Sequence, residues 1–169
     1  MALTLEALNA RLCELEDKEA IRRMKSRYLR ACDLKEVEEV RNCFLAGEGA
    51  VKIDYENFPV FTDRDAFVAL YEQMACHGGV YDLHHATNWE IDLIGADEAT
   101  GLWSLNFRTI LTGPRQVVRL AVEYQDRYVR ADGRWWIAES KSRVTSMLTE
   151  QINDDGSVTV IALAEVPQA

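Results

Sequence analysis

The order of the hydrophobic patterns along the chain most constrains its fold. Apolar residues recur at helical spacing from Leu5 to Leu15 and again through Tyr28, which predicts a long N-terminal helix with a bend, or two helices. Three long strand patterns follow, joined by short turn-forming stretches: YDLHHATNWEIDLIG, TGLWSLNFRTIL and QVVRLAVEYQDRYVR. Helices that precede a strand meander are typical of an α+β fold, with helices on one side of an antiparallel sheet.

The length of the chain bounds the number of domains. With 169 residues, 48% of them hydrophobic, the chain can bury one good core but is too short for two ordinary domains. We therefore predict one domain over residues 1–169, with its core at about 16–147. The extension at 149–169 contains an apolar strand pattern, SVTVIAL, that would add an edge strand or pair with a partner subunit.

The charge of the chain excludes several classes of partner. The formal net charge is −9, and no cluster of lysines and arginines makes a local exception. A phosphate backbone or an anionic membrane surface would be repelled, so we expect no nucleic-acid or membrane partner. The N-terminal stretch carries acids and arginines where a secretory signal needs an apolar core, which favours a cytoplasmic protein.

Two of the three histidines stand side by side in a predicted strand. Because successive side chains in a strand point to opposite faces, His85 shares the apolar face with Ile91, and His84 faces solvent or a subunit contact. A β-bulge would exchange the two orientations. Opposed side chains do not chelate one ion, and His77 is the remaining histidine, so we predict no metal site. Taken alone, His85 could also be a core histidine that hydrogen-bonds a backbone carbonyl or a tyrosine.

Several short motifs, in order, resemble one known family. They are an opening E-D-x-E-A-I, a tyrosine followed five residues later by aspartate, H-H-x-x-N in the first long strand, and a D-G-x-W-x-I hairpin. Together they resemble the SnoaL-like branch of the nuclear transport factor and ketosteroid isomerase superfamily, over about Glu16 to Met147. The resemblance implies a cystatin-like cone roll, in which a curved antiparallel sheet wraps around helices and leaves an apolar pocket open at one end.

The resemblance also implies a set of site residues. Within this branch the chain is most similar to bile-acid and scytalone dehydratase relatives. Residues at positions that match their catalytic groups are Tyr28, Asp33, His85 and Arg143. The dehydratase pattern has an acidic residue midway along the next strand, whereas this sequence reads LWSLNF and offers Asn106 and Phe107 there.

Each matched residue has a chemical and a structural interpretation. Asp33 would accept a hydrogen bond from one ring nitrogen of His85 and leave the other nitrogen as a base, or it would be a helix-end aspartate in water. Tyr28 would donate a hydrogen bond to a substrate oxygen, or its ring would be part of the core.

Further residues would bind the substrate. Asn106 would help to stabilise a developing oxyanion but cannot act as a general acid. Arg143 would hold a polar end of the substrate at the cone mouth, or form a surface ion pair with Glu139. The aromatic rings of Trp103 and Tyr124 would form pocket walls or pack within the sheet.

We therefore expect an enzyme that removes a proton from an apolar cyclic substrate and then eliminates water or shifts a double bond. Proton transfer of this kind needs no organic cofactor. The alternative is a non-catalytic ligand-binding or scaffold subunit, similar to the small subunit of aromatic-ring dioxygenases. Because this fold commonly associates through its sheet, we expect a homodimer or homotrimer.

Overall fold

The computed structural model describes residues 4–56 and 58–165, in which helices come first and long strands follow. The helices within these residues are α1 (Leu5–Leu34), α2 (Val37–Arg41) and α3 (Arg64–Ala75). The strands are β1 (Lys52–Tyr55), β2 (Val80–Leu93), β3 (Glu98–Leu111), β4 (Gln116–Ala131), β5 (Arg134–Ile152) and β6 (Val158–Glu165). The predicted α+β class, with N-terminal helices and a curved antiparallel sheet, is confirmed.

The described strands form a single sheet built around the meander from β2 to β5. The strand order is β1-β5-β4-β3-β2, with antiparallel pairing throughout the meander and a parallel pairing between β1 and β5. β5 is long enough to pair with β1 along one part of its length and with β6 along another. β6, from the predicted C-terminal strand pattern, pairs antiparallel with the end of β5.

Helix α1 is one continuous helix with two different halves. It begins at the N-cap Thr4, whose hydroxyl accepts a hydrogen bond from the amide of Ala7 (3.2 Å), and it ends at Lys35 in the left-handed region. The leucines of its first half are exposed, whereas Ile21 and Tyr28 in its second half are buried against the sheet. Although α1 is 30 residues long, no helix among the described residues is long and apolar enough to cross a membrane.

A fully buried ion pair joins α1 to β4. The ammonium Nζ of Lys25 lies 2.7 Å from Oδ2 of Asp126, and both side chains are 0% exposed. The angle between the two groups is not that of a hydrogen bond, so the contact is an ion pair. The same ammonium lies 3.9 Å from the ring centroid of Tyr124, a cation–π contact. The carboxylate of Asp126 also accepts hydrogen bonds from Ser140 Oγ and from the Tyr128 hydroxyl, each 2.7 Å long. These contacts offset the cost of removing both charges from water.

Replacing Lys25 by methionine should destabilise the fold strongly. The variant leaves the carboxylate of Asp126 buried without its cation, which typically costs about 3–5 kcal/mol in the free energy of unfolding. Urea unfolding followed by circular dichroism measures this difference. The control is Lys18→Met on the same helix, which breaks a partly exposed pair with Glu14 and should cost less than about 1 kcal/mol. Equal, small losses in the two variants would contradict a stabilising role for the buried pair.

Candidate active site

An apolar cavity of about 400 Å³ lies between α1, α3 and the inner face of the sheet. This volume is in the range of small-molecule binding sites. Its wall is formed mainly by aromatic and aliphatic side chains, including Ile53, Phe58, Phe61, Phe67, Leu70, Met74, Phe107, Leu111 and Leu120. The few polar groups in this wall are therefore the candidates for chemistry.

One of these polar groups is His84, which is held by an aspartate at the end of α1. Nδ1 of His84 lies 2.6 Å from Oδ1 of Asp33, and the backbone amide of His84 donates to Oδ2 of Asp33 (3.2 Å). The imidazole also lies beside the ring of Phe107, with 4.7 Å between the ring centroids. Because the carboxylate accepts from Nδ1–H, the lone pair is left on Nε2. Nε2 has no hydrogen-bond partner in the described part of the chain, so it is available to a ligand.

The predicted inward orientation of His85 is wrong. Its side chain is exposed on the outer face of the sheet, opposite Asn106 on β3. Between Thr87 and Glu90, β2 has one more residue than β3, a β-bulge that reverses the alternation of faces. Ile91 is buried as predicted, but counting back from it across the bulge assigns His85 to the wrong face.

Asn106 and Arg143 also lie outside the cavity, although they were predicted to bind the substrate. The side chain of Asn106 is exposed on the outer face and lies outside the cavity wall. Nη2 of Arg143 lies 2.7 Å from Oδ2 of Asp54, which makes a partly exposed ion pair away from the cavity. A second bulge, in the pairing of β4 with β5 near Tyr128, inserts a residue after Ile137 and reverses the faces before Arg143. Neither residue is therefore placed to contact a ligand in the cavity.

The aromatic residues predicted for the pocket are all buried, but not all of them line the cavity. Tyr28 and Tyr124 line the cavity. Trp103 is also buried but is outside the cavity wall, where its Nε1 donates to the hydroxyl of Tyr128 (2.8 Å). The structure thus brings Tyr28 and Tyr124 together with His84 and assigns Trp103 to the core.

Sequence reasoning missed further polar groups of the wall, among them Tyr55 and Asp82. Tyr55, the last residue of β1, places its hydroxyl 3.0 Å from that of Tyr28. Asp82 lines the cavity two residues before His84 and forms an ion pair with Lys35, at the end of α1. The two-residue spacing on β2 was the signal that could have identified Asp82 together with His84.

A buried thiol is also part of the cavity wall. Cys32 lines the cavity, but burial raises the pKa of its thiol, which keeps it protonated and weakly nucleophilic near neutral pH. Among residues 4–56 and 58–165, no group of three or more histidines, cysteines, aspartates and glutamates is arranged to hold a metal ion. The imidazole, carboxylate and hydroxyl groups of the wall can transfer protons and form hydrogen bonds.

Comparison with known families supports the resemblance found in the sequence. Residues 13–141 match the model of the SnoaL-like domain family. This match spans most of α1, the remaining helices and the sheet as far as the first part of β5. It includes both members of the His84–Asp33 pair.

The structure is similar to solved structures from Novosphingobium. A proposed scytalone dehydratase from Novosphingobium aromaticivorans is 24% identical with a TM-score of 0.73, over 92% of this chain and 97% of that chain. Hexachlorocyclohexane dehydrochlorinase LinA-type3 from Novosphingobium barchaimii is 17% identical with a TM-score of 0.70, over 94% and 99%. An NTF2-like protein with a cystatin-like fold from Novosphingobium aromaticivorans is 19% identical with a TM-score of 0.69, over 83% and 90%. At these identities the likeness establishes the fold alone, and it confirms the predicted cystatin-like architecture.

The buried tyrosines should make the fold sensitive to alkali. Burial is the main cause that raises the pKa of Tyr28, Tyr55, Tyr71, Tyr124 and Tyr128 above the ordinary value of about 10. Their contribution to stability is therefore complete below pH 10 and is lost as the pH rises above it, because the unfolded chain then releases protons that the folded chain retains.

A titration of tyrosinate absorbance measures this effect. We expect most of the six tyrosines to ionise in one cooperative step that coincides with unfolding by circular dichroism, whereas the urea-unfolded control titrates gradually near pH 10. Gradual ionisation of the native protein, with the fold intact, would contradict the burial of these hydroxyls.

Replacing Thr109 by valine should stabilise the protein. Oγ1 of Thr109 is buried in the sheet at the cavity wall and has no hydrogen-bond partner among the described residues. Removing a buried, unpaired hydroxyl while keeping the branched shape should raise the free energy of unfolding by about 1 kcal/mol. Urea unfolding tests this, with the exposed Thr87→Val as the control, for which we expect a change within about 0.5 kcal/mol. A loss of stability at Thr109 would mean that the hydroxyl has a partner, such as a buried water.

Proposed function

The chain belongs to the SnoaL-like domain family, and from this premise we propose that it is a lyase or isomerase. Its reaction would remove a proton from an apolar cyclic substrate without an organic cofactor. The observation that carries this proposal is the His84–Asp33 pair in the wall of an apolar cavity, with Nε2 of His84 unpaired.

His84 takes the role of the base in this proposal. Asp33 accepts a hydrogen bond from Nδ1–H, fixes the tautomer and stabilises the imidazolium that forms when Nε2 takes a proton from carbon. An apolar wall around the reacting atoms strengthens this electrostatic support, because little water competes with it. The sequence predicted His85 as the base, oriented by Asp33. We assign the role of the base to His84 instead, because His84 is the histidine in the cavity wall.

The proposed reaction requires no change of overall oxidation state. The C–H bond breaks, its electron pair forms a carbon–carbon double bond, and a leaving group departs from the neighbouring carbon with its own bonding pair. In an isomerisation, the imidazolium instead returns the proton to another carbon. Dehydration and dehydrochlorination, which the names of two structural neighbours describe, are both eliminations of this kind.

The wall also limits the substrate class. Its described residues include no arginine or lysine, and Arg143 forms its ion pair on the outer face. A carboxylate or phosphate of the substrate would therefore find no cation in the wall. We propose a neutral substrate of one or a few rings, with a carbonyl or another electron-withdrawing group beside the carbon that loses its proton.

A second candidate function is ligand binding within an assembly. β6 exposes four apolar side chains, each at least half accessible to solvent: Val158, Val160, Ile161 and Leu163. An exposed apolar edge strand is typical of a protein contact, either in the expected homodimer or homotrimer or with a larger partner chain. Saturable binding of apolar molecules without turnover would favour this function.

The adjacent histidines provide a matched pair of variants. His84→Ala should lower turnover by about 10²–10⁴-fold, because it removes the base, whereas His85→Ala on the outer face should leave turnover unchanged. The assay uses deuterated water and a panel of hydroxylated or halogenated cyclic compounds and cyclic ketones. Mass spectrometry then records water loss, halide loss and deuterium uptake.

Turnover of the two variants identifies the base once circular dichroism shows that both variants are folded. Loss of turnover in His85→Ala, or its retention in His84→Ala, would contradict the assignment of the base. An intermediate loss in Asp33→Asn, which keeps the side-chain shape but removes the charge, would support the orienting role of the carboxylate.

A further inference from the structure

A chain of hydroxyl groups leads from the buried ion pair to the cavity. Ser140 Oγ donates to Oδ1 of Asp126 (2.7 Å), the Tyr55 hydroxyl lies 3.2 Å from Ser140 Oγ, and the Tyr28 hydroxyl lies 3.0 Å from that of Tyr55. Both tyrosines line the cavity, whereas Asp126 and its partner Lys25 are fully buried. The role proposed for His84 does not use this chain.

The charge on Asp126 sets the direction of every bond in the chain. A carboxylate beside an ammonium group only accepts hydrogen bonds, so the one proton of Ser140 is committed to Asp126. Ser140 must then accept from Tyr55, and Tyr55 in turn must accept from Tyr28. Burial raises the pKa of both tyrosines, so each keeps its one proton near neutral pH.

We propose that the buried Lys25–Asp126 pair is a positioning device that makes Tyr28 a hydrogen-bond acceptor toward the cavity. The cavity then selects ligands that carry an O–H or N–H donor. This polarity is opposite to the donor role expected for Tyr28 from the sequence. The inference rests on the proposed function only in taking this cavity as the substrate site.

Reversing the chain would cost a hydrogen bond. If Tyr28 donated to a ligand, Tyr55 would have to donate to Tyr28 or leave that contact unmade. Ser140, still bound to Asp126, would then face the oxygen of Tyr55 with no proton between them. An unpaired contact of this kind in a buried network is unfavourable, which is why the ion pair can control a group several bonds away.

Two probes of nearly the same shape test the polarity. 2-Naphthol has a hydroxyl that can donate, and 2-methoxynaphthalene, its methyl ether, can only accept. Because Nε2 of His84 could accept the same proton, the dissociation constants are measured in the His84→Ala protein by competition with a fluorescent apolar dye. We expect naphthol to bind about tenfold more tightly than the ether, the effect of one hydrogen bond.

Breaking the chain should abolish this preference while leaving the cavity in place. Ser140→Ala frees the proton of Tyr55, and Tyr55→Phe frees the proton of Tyr28, so in either variant Tyr28 can donate to the ether oxygen. The ratio of the two dissociation constants should then fall from about tenfold to about twofold or less. Ser146→Ala, at an exposed serine on the same strand, is the control and should keep the full ratio.

Three results would overturn the inference. They are equal binding of the two probes before the chain is broken, an unchanged ratio in both Ser140→Ala and Tyr55→Phe, and failure of either probe to enter the cavity. Because binding is measured without turnover and without His84, these results are separate from the comparison of His84→Ala with His85→Ala. The acceptor role of Tyr28 can therefore be disproved without affecting the role of His84 as the base. Equally, the role of His84 can be disproved without affecting that of Tyr28.

Discussion

The ion pair between Lys25 and Asp126 is the constraint on which the arrangement of the site depends. Separating two buried charges would be costly, at about 3–5 kcal/mol for a broken pair. The pair therefore fixes the position of α1 along β4 and its rotation about its own axis. Tyr28 lies one turn further along the same helix and faces the cavity. Asp33 lies about 12 Å along the helix from Lys25, at a rise of about 1.5 Å per residue, where it meets His84 on β2.

Two separate hydrogen-bonded pairs place polar groups in the cavity wall. The His84–Asp33 pair joins the end of α1 to β2 and leaves a basic nitrogen in an apolar wall. The Tyr28–Tyr55 pair is connected through Ser140 to the charges in the core. A substrate between them would meet a base and an oriented hydroxyl, both held by carboxylates that it does not touch. Such support from outside the wall is how a mostly apolar site keeps a few polar atoms in place.

Much of the fold could be predicted because it follows from local patterns. The periodicity of α1, the alternation along each strand and the Asp-Gly turn before β5 act over a few residues. The order of motifs was enough to indicate the family. Tyr28 and Asp33 were also selected from the sequence, and the structure places Asp33 against His84 and Tyr28 in the wall of the same cavity. Tyr55 and Asp126 were missed because their importance comes from contacts between distant segments.

The sequence by itself determined the order of helices and strands, the apolar character of the interior and the presence of two adjacent histidines. Only the tertiary structure decided which histidine faces the cavity and that Arg143 does not. The physical reason is the β-bulge: one extra residue in a strand reverses every later side chain, yet it leaves the hydrophobic pattern on either side intact. Whether a strand contains that residue depends on its pairing with neighbouring strands, which the pattern of one strand alone does not specify.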